Sequence, residues 1–216
     1  MTRLLVATTN ANKLREIRDL LASAATDLVG LDALPRIDEP EETGATFAEN
    51  ARLKALYYDR SARTLPRIET IQGCDLTVAE DSGLVIDALD GEPGVRSARF
   101  LRPDATYPER FAEIFRRLDE RPSRPPTARF VCAVAAVRNG QVVFETTGTV
   151  EGEITRQPRG SAGFGYDPIF FYPPHGTTLA EVTQALKLQV AHRGQAFRAL
   201  ADWLRTNREA GTTHRT

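Results

Sequence analysis

The sequence predicts an α/β protein with a mixed central β-sheet flanked by helices, and three observations predict it. The chain opens on a β-turn-α pattern, with aliphatic Arg3 to Ala7 followed by Leu14, Ile17, Leu20 and Leu21 at helical spacing. Two strand-like runs, Ala128 to Val137 and Gln141 to Thr147, bracket Asn139-Gly140, a pair suited to a two-residue hairpin turn. Helical and strand periods are mixed along the rest of the chain. No repeat, low-complexity tract or interdomain linker interrupts them, so one domain over 1–216 is expected.

In chain order, the first helix is expected over Asn12 to Ser23. Thr46-Phe-Ala-Glu49 has the spacing of a capping box, in which the Thr side chain and the Glu carboxylate each satisfy a backbone N–H of the other's residue. That helix is expected to run through Tyr58, and Ser61 to Gly73, bearing Pro and Arg, reads as a surface loop. Leu76 to Ala79 and Leu84 to Leu89 read as two strands with Glu80-Asp81 and a Ser-Gly turn between them. Thr106 and Glu109 repeat the capping-box spacing ahead of a helix over Tyr107 to Leu118, with Phe111, Ile114, Phe115 and Leu118 inward. Arg159 to Pro168 is a glycine-rich loop before Ile169-Phe-Phe, and Arg193 to Arg208 is a last helix carrying Phe197, Leu200 and Leu204. The tail after Glu209 is expected to fray.

A net charge of −1 argues against a general nucleic-acid or anionic-membrane binder, so local basic groups must do any anion binding. Two cysteines, Cys74 and Cys132, have no metal-ligand spacing and make no disulfide framework, which points to a reducing compartment. No apolar run approaches the ~18 residues of a membrane span, and MTRLLVATTN lacks a signal peptide's features. A cytoplasmic location is expected.

Four motifs carry candidate chemistry. Thr8-Thr9-Asn10-Ala11-Asn12-Lys13 joins the first strand to the first helix, where free N–H groups and the positive helix end favour phosphate and Lys13 adds a full charge; the same residues also serve as an ordinary N-cap. Glu80 and Asp81 repel each other unless a cation neutralises them. With Glu49 they make a hard-oxygen set suited to Mg²⁺, while a solvated turn and a capping Glu are the plainer readings. Phe164-Gly165-Tyr166-Asp167 can offer an aromatic face to a base and a carboxylate to its N–H groups, or form a tight turn with core aromatics. Arg193, beside His192, is a candidate donor to a carbonyl, and Lys187 and Lys54 are candidate phosphate ligands.

The order of TTNANK, TFAENARLKA, AEDSGL, GEPGVRSARF, GFGYDPIF and AHRGQA strongly resembles the inosine/xanthosine triphosphate pyrophosphatase family, over about Leu4 to Trp203. The resemblance implies an elongated two-lobed α/β fold around a cleft, a homodimer, and Mg²⁺-dependent hydrolysis of ITP, dITP and XTP to the monophosphate and pyrophosphate. By position it implies that Thr8 to Lys13 and Lys54 lie near the phosphates. It implies Glu49 and Glu80 at the metal, Asp81 as proton acceptor and metal ligand, and Ser82 beside the substrate. Phe164 to Asp167, Lys187, His192 and Arg193 correspond to nucleotide and base recognition, with Arg193 or a backbone N–H donating to the purine 6-oxo group. This chain departs from the family at Ala185-Leu186 and at Ala191, which stand where acidic residues and a serine are usual. A pyrophosphatase acting on modified pyrimidine or standard nucleotides, and a silent nucleotide-binding module, are the alternatives.

Overall fold

The computed structural model describes residues 1–24, 26–35, 37–65 and 73–212. Seven strands form one mixed sheet in the order β2-β1-β3-β4-β5-β6-β7. They are β1 (Thr2–Val6), β2 (Thr26–Gly30), β3 (Cys74–Ile86), β4 (Thr127–Arg138), β5 (Gln141–Ile154), β6 (Phe170–Tyr172) and β7 (Thr177–Thr178). β1 pairs in parallel with both β2 and β3, whereas β5, β6 and β7 pair antiparallel. An interior strand is covered on both faces, which is why β1 is a run of Leu4, Leu5 and Val6, all buried, rather than an alternating pattern. The helices are α1 (Ala11–Leu21), α2 (Phe47–Thr64), α3 (Tyr107–Asp119), α4 (Gln184–Val190) and α5 (His192–Thr212).

Both capping boxes form as their spacing predicts, Thr46 with Glu49 and Thr106 with Glu109. The hairpin forms too: Asn139 and Gly140 have φ of 54° and 77°, the left-handed pair that a tight turn matched to strand twist requires. Its Gly140 N–H donates to Asp59 of α2 at 2.9 Å, which ties the turn to a helix.

Four expectations change. β3 is one strand through Glu80-Asp81-Ser82-Gly83, with no turn there. Ser61 to Thr64 continue α2, because nothing breaks the helix before Leu65, and 66–72 of the expected loop lie outside the described residues. Asp87 to Leu89 form a 3-10 turn beyond the end of β3. α5 runs to Thr212, past the expected fraying point at Glu209. β2, β7 and α4 were not foreseen: the strands are short, and α4 starts on Thr183, whose hydroxyl accepts from the Leu186 N–H.

The chain divides into two compact units, each discontinuous in sequence. The first comprises Met1–Asp81, Ala133–Thr147 and Arg193–Thr216; the second comprises Ser82–Cys132 and Gly148–His192. In the first, Ala51, Ala55 and Tyr58 on one face of α2 pack with Ala7, Ala79, Ala133, Ala135 and Val137 of the sheet. Small residues there let helix and strands approach closely. In the second, Phe111, Ile114 and Leu118 of α3 join Leu84, Ile86, Phe130, Ile169 and Phe170. Burying each such large side chain contributes about 1.5–3 kcal/mol before the entropy of ordering it.

Candidate active site

In the first unit the charged groups stand on regular elements. Successive residues of a strand point to opposite faces. Glu80 and Asp81, adjacent on β3, accordingly meet different partners and do not confront each other. Glu80 Oε1 receives Lys13 Nζ of α1 at 3.0 Å and Arg193 Nη2 of α5 at 3.2 Å. Arg193 Nη1 donates to Glu16 Oε2 of α1 at 2.5 Å, so two carboxylates and two cations close on one another, with Glu16, Glu80 and Arg193 each at 2% exposure or less. Asp81 Oδ1 accepts from Lys54 Nζ of α2 at 2.9 Å, and its Oδ2 accepts from the Asn50 amide at 3.3 Å. Lys54 Nζ also donates to Glu42 at 2.9 Å.

The two partners of the Asp81–Lys54 pair respond unequally to burial. Burial pushes the Asp81 carboxyl above its ordinary value, and Lys54 and Lys13 offset this only in part. Burial pulls Lys54 down, yet Asp81 and Glu42 together outweigh it and leave the ammonium above the usual lysine value. The asymmetry follows from the count: Lys54 gains from two carboxylates, whereas Asp81 shares its lysine with Glu42.

The loop before α1 is only partly open. Asn10 Oδ1 accepts from the N–H groups of Asn12 and Lys13 at 3.0 and 3.2 Å, and the Asn10 N–H donates to Thr8 Oγ1 at 3.2 Å. The helix start is therefore a formed cap, with Thr9 and Asn10 exposed. A cavity of about 360 Å³ lies alongside, lined by Thr8, Thr9, Leu14, Ile37 and Tyr58 among others.

The expected metal triad does not converge. Glu49 Oε2 is bound back to the N–H groups of Ala45 and Thr46 at 2.7 and 3.1 Å, which is its capping-box role. Among the described residues no group of three His, Cys, Asp or Glu could hold a metal ion. Asp81 and Glu42 remain as hard-oxygen donors that fit a divalent cation in type, whereas Glu80, on the opposite face of β3, meets Lys13 and Arg193. Two carboxylates sharing one ammonium around a buried Asp81 leave negative charge for it to neutralise.

In the second unit the candidate groups belong to the loop ahead of β6. Asp167 Oδ2 accepts from Lys187 Nζ at 2.6 Å and from the Phe164 N–H at 2.8 Å. Lys187 Nζ lies 4.7 Å from the centroid of the half-buried Phe164 ring, a cation–π contact. Gly163, at φ 72°, has no room for a side chain, since a Cβ there would stand 2.2 Å from Asp167 Oδ2. Phe164 and Tyr166 do not form one aromatic face: Tyr166 is buried, edge-on to Tyr107 at 5.3 Å, and its hydroxyl donates to the Ser97 carbonyl. His192 is stacked on Phe130 at 4.9 Å in the core, and Ser82 is half-buried on β3.

Arg193 is thus committed to Glu16 and Glu80, and these contacts do not favour the expected 6-oxo donor. Sequence reading missed Glu16, Glu42 and Asn50. A signal for two of them exists: Lys13, Glu16, Ile17 and Leu20 share one face of α1, and Asn50, Ala51, Lys54, Ala55 and Tyr58 share one face of α2. Charged or amide side chains on a core-facing stripe need partners across the core.

A mixed sheet, parallel at its β2 edge and carrying buried acid–lysine pairs on β3, its third strand, is an α/β frame with cationic groups gathered beside one strand. The Ham1 family profile matches residues 4–203. The chain is 40% identical over 200 residues to a dITP/XTP pyrophosphatase of Geobacillus kaustophilus, covering 93% of each. It is 40% identical over 207 residues to the dITP/XTP pyrophosphatase of Escherichia coli strain K12, covering 95% of this chain and 99% of that one. A solved HAM1 protein structure from Coxiella burnetii superposes with a TM-score of 0.80 at 35% identity, over 95% of this chain and 100% of that one. The chain belongs to the Ham1 family.

Proposed function

We propose that this chain is a nucleoside triphosphate pyrophosphatase that hydrolyses noncanonical purine nucleotides, ITP, dITP and XTP, to the monophosphate and pyrophosphate. The observation that carries the reading is the pair of buried acids on β3, each held by a lysine from a different helix, in a chain about 40% identical to curated dITP/XTP pyrophosphatases. In this reading water adds to the α-phosphorus and the bond to the bridging α,β oxygen breaks, with pyrophosphate leaving. Asp81 orients the attacking water and accepts its proton; a carboxyl whose proton affinity is raised by burial suits that role. Lys13 and Lys54 exchange their carboxylate partners for phosphate oxygens and stabilise charge on the departing group. Asp81, with Glu42 beside it on the shared Lys54, would hold Mg²⁺, which when bound would supply charge neutralisation and a more acidic water, while Glu80 on the opposite face of β3 pairs with Lys13 and Arg193. Arg193 fixes Glu80 rather than reading the base.

Phe164, Asp167 and Lys187 are assigned to the base. The exposed part of the Phe164 ring offers a stacking face. The Lys187–Asp167 pair offers a donor for a 6-oxo group, which adenine's 6-amino group cannot use. A homodimer and a cytoplasmic location belong to the same proposal. No helix among the described residues is long and apolar enough to cross a membrane.

The test is pyrophosphate release with and without Mg²⁺ across ITP, dITP, XTP, dGTP, dTTP and dATP. Mg²⁺-dependent release from the first three, well ahead of the others, is expected. Release of orthophosphate, or equal rates on the standard nucleotides, overturns the reaction or the substrate class respectively. No turnover on any of them makes the chain a nucleotide-binding module.

A further inference from the structure

Ser97 lies in the GEPGVRSARF stretch, whose chemistry composition and spacing leave unexplained. It is 6% exposed and sits in the 3-10 helix Gly94–Arg99, which has few hydrogen bonds of its own to fix it. Its hydroxyl does that work in two directions: it accepts from the Leu84 N–H of β3 at 2.9 Å and donates to the Gly94 carbonyl at 2.6 Å. Its carbonyl then receives the Tyr166 hydroxyl at 2.8 Å and Arg110 Nη1 at 3.4 Å. Arg110 is itself buried. Its other nitrogen donates to the carbonyls of Arg102 and Pro103, and its guanidinium lies 5.0 Å over the Tyr107 ring. Tyr107 in turn meets the Tyr166 ring edge-on.

This anchor matters because of what it holds. The loop contains Gly160, Gly163 and Gly165, all at positive φ between 71° and 80°, so its backbone has many alternatives available and depends on outside contacts to reject them. Tyr166 is the buried side chain of that loop. Asp167 is the next residue, and Asp167 accepts the Phe164 N–H, so the position of Tyr166 sets both neighbours at once. A shift of the Tyr166 ring would move the Phe164 face and the Lys187–Asp167 pair together.

We propose that Ser97 is a positioning residue for base recognition, acting through Tyr166 on Phe164 and Asp167, with Arg110 steadying the shared carbonyl. The inference rests on the assignment of Phe164, Asp167 and Lys187 to the base. Because these groups bind the base and do not touch the reacting phosphorus, loosening them weakens binding of ground state and transition state alike. The signature is a rise in KM with kcat retained, and a loss of preference between purines.

The experiment measures kcat, KM and melting temperature with dITP and dATP for Tyr166→Phe, Ser97→Ala, their double variant, Ser97→Thr and Asp167→Asn. Tyr166→Phe removes one oxygen and keeps the ring, so it carries the test even if Ser97→Ala fails to fold. Tyr166→Phe and Ser97→Ala are each expected to raise KM for dITP about 3- to 10-fold, the weight of one hydrogen bond, with kcat within about twofold and a smaller dITP/dATP ratio of kcat/KM. The double variant should lose little more than the worse single one, since both act through one bond, and Ser97→Thr, which keeps the hydroxyl, should restore the ratio. A lower melting temperature with an unchanged ratio in Tyr166→Phe and Ser97→Ala overturns the proposal and leaves Ser97 a packing residue. If Asp167→Asn alone moves the ratio, only the role of Ser97 fails. If Asp167→Asn also leaves it unchanged, the base assignment itself fails and the proposal with it.

Discussion

Glu80 in the first unit and Asp167 in the second are equally buried, at 2% exposure each, yet they are held in different ways. Glu80 stands on a strand whose backbone is fixed by its neighbours, and its partners are side-chain cations from two helices, Lys13 and Arg193. Asp167 sits at the end of a glycine-rich loop, and its partners are one lysine and the backbone N–H of Phe164 three residues earlier. The strand acid needs its cations because desolvation penalises every unpaired charge. The loop acid uses its oxygen partly to shape the loop that carries it. A substitution around Glu80 should therefore be felt as stability or turnover, and one around Asp167 as binding and selectivity.

Arg193→Ala tests that contrast most severely. It leaves Glu16 and Glu80 buried with Lys13 alone among the contacts described above. The expected loss is about 3–5 kcal/mol, a melting point lower by roughly 6–20 °C for a chain of this size. The dITP/dATP ratio should hold in whatever folded enzyme remains. A stable variant with a collapsed ratio would return Arg193 to the base and break the comparison. Asp81→Asn comes next: it keeps the shape, loses the proton acceptor and anionic donor, and should lower kcat by about 100-fold or more, ~2.7 kcal/mol of barrier, with little change in melting temperature. Turnover near the parent value would remove Asp81 from the mechanism. Glu49→Ala is the smallest. Without its carboxylate the Ala45 and Thr46 N–H groups lose their acceptor, at about 1 kcal/mol or roughly 2–4 °C, while the Mg²⁺ concentration for half-maximal rate stays put. A clear rise in that concentration would make Glu49 a metal ligand after all.

Legibility in the sequence followed the same division. Elements set by local chemistry were readable: both capping boxes, the Asn139-Gly140 turn, and α3 with its Phe111, Ile114, Leu118 stripe. β3 misled because Ser82-Gly83 carries turn residues, yet the strand runs through them between β1 and β4, where the sheet overrides local propensity. Glu80 and Asp81 could be picked out as chemically unusual, but their partners could not be assigned, since Arg193 and Glu16 are 177 residues apart and only the fold brings them together. The resemblance singled out Phe164 to Asp167 as a group to inspect. It could not reveal that Tyr166 turns inward while Phe164 stays half-buried, since the contacts that hold Tyr166, from Ser97 and Tyr107, come from elsewhere in the chain.

The distance in sequence between Glu16 and Arg193 has a consequence for how the protein is made. A chain emerging from the ribosome presents Glu16 and Glu80 early, with Lys13 beside them, and the guanidinium that closes the group arrives only with residue 193. Until then the strand's acid has one cation where the finished protein gives it two, and the buried arrangement cannot be completed. Assembly of the charged core is thereby tied to the last helix, so a prematurely terminated product that ends before α5 lacks the means to seal it and stays open to proteolytic clearance.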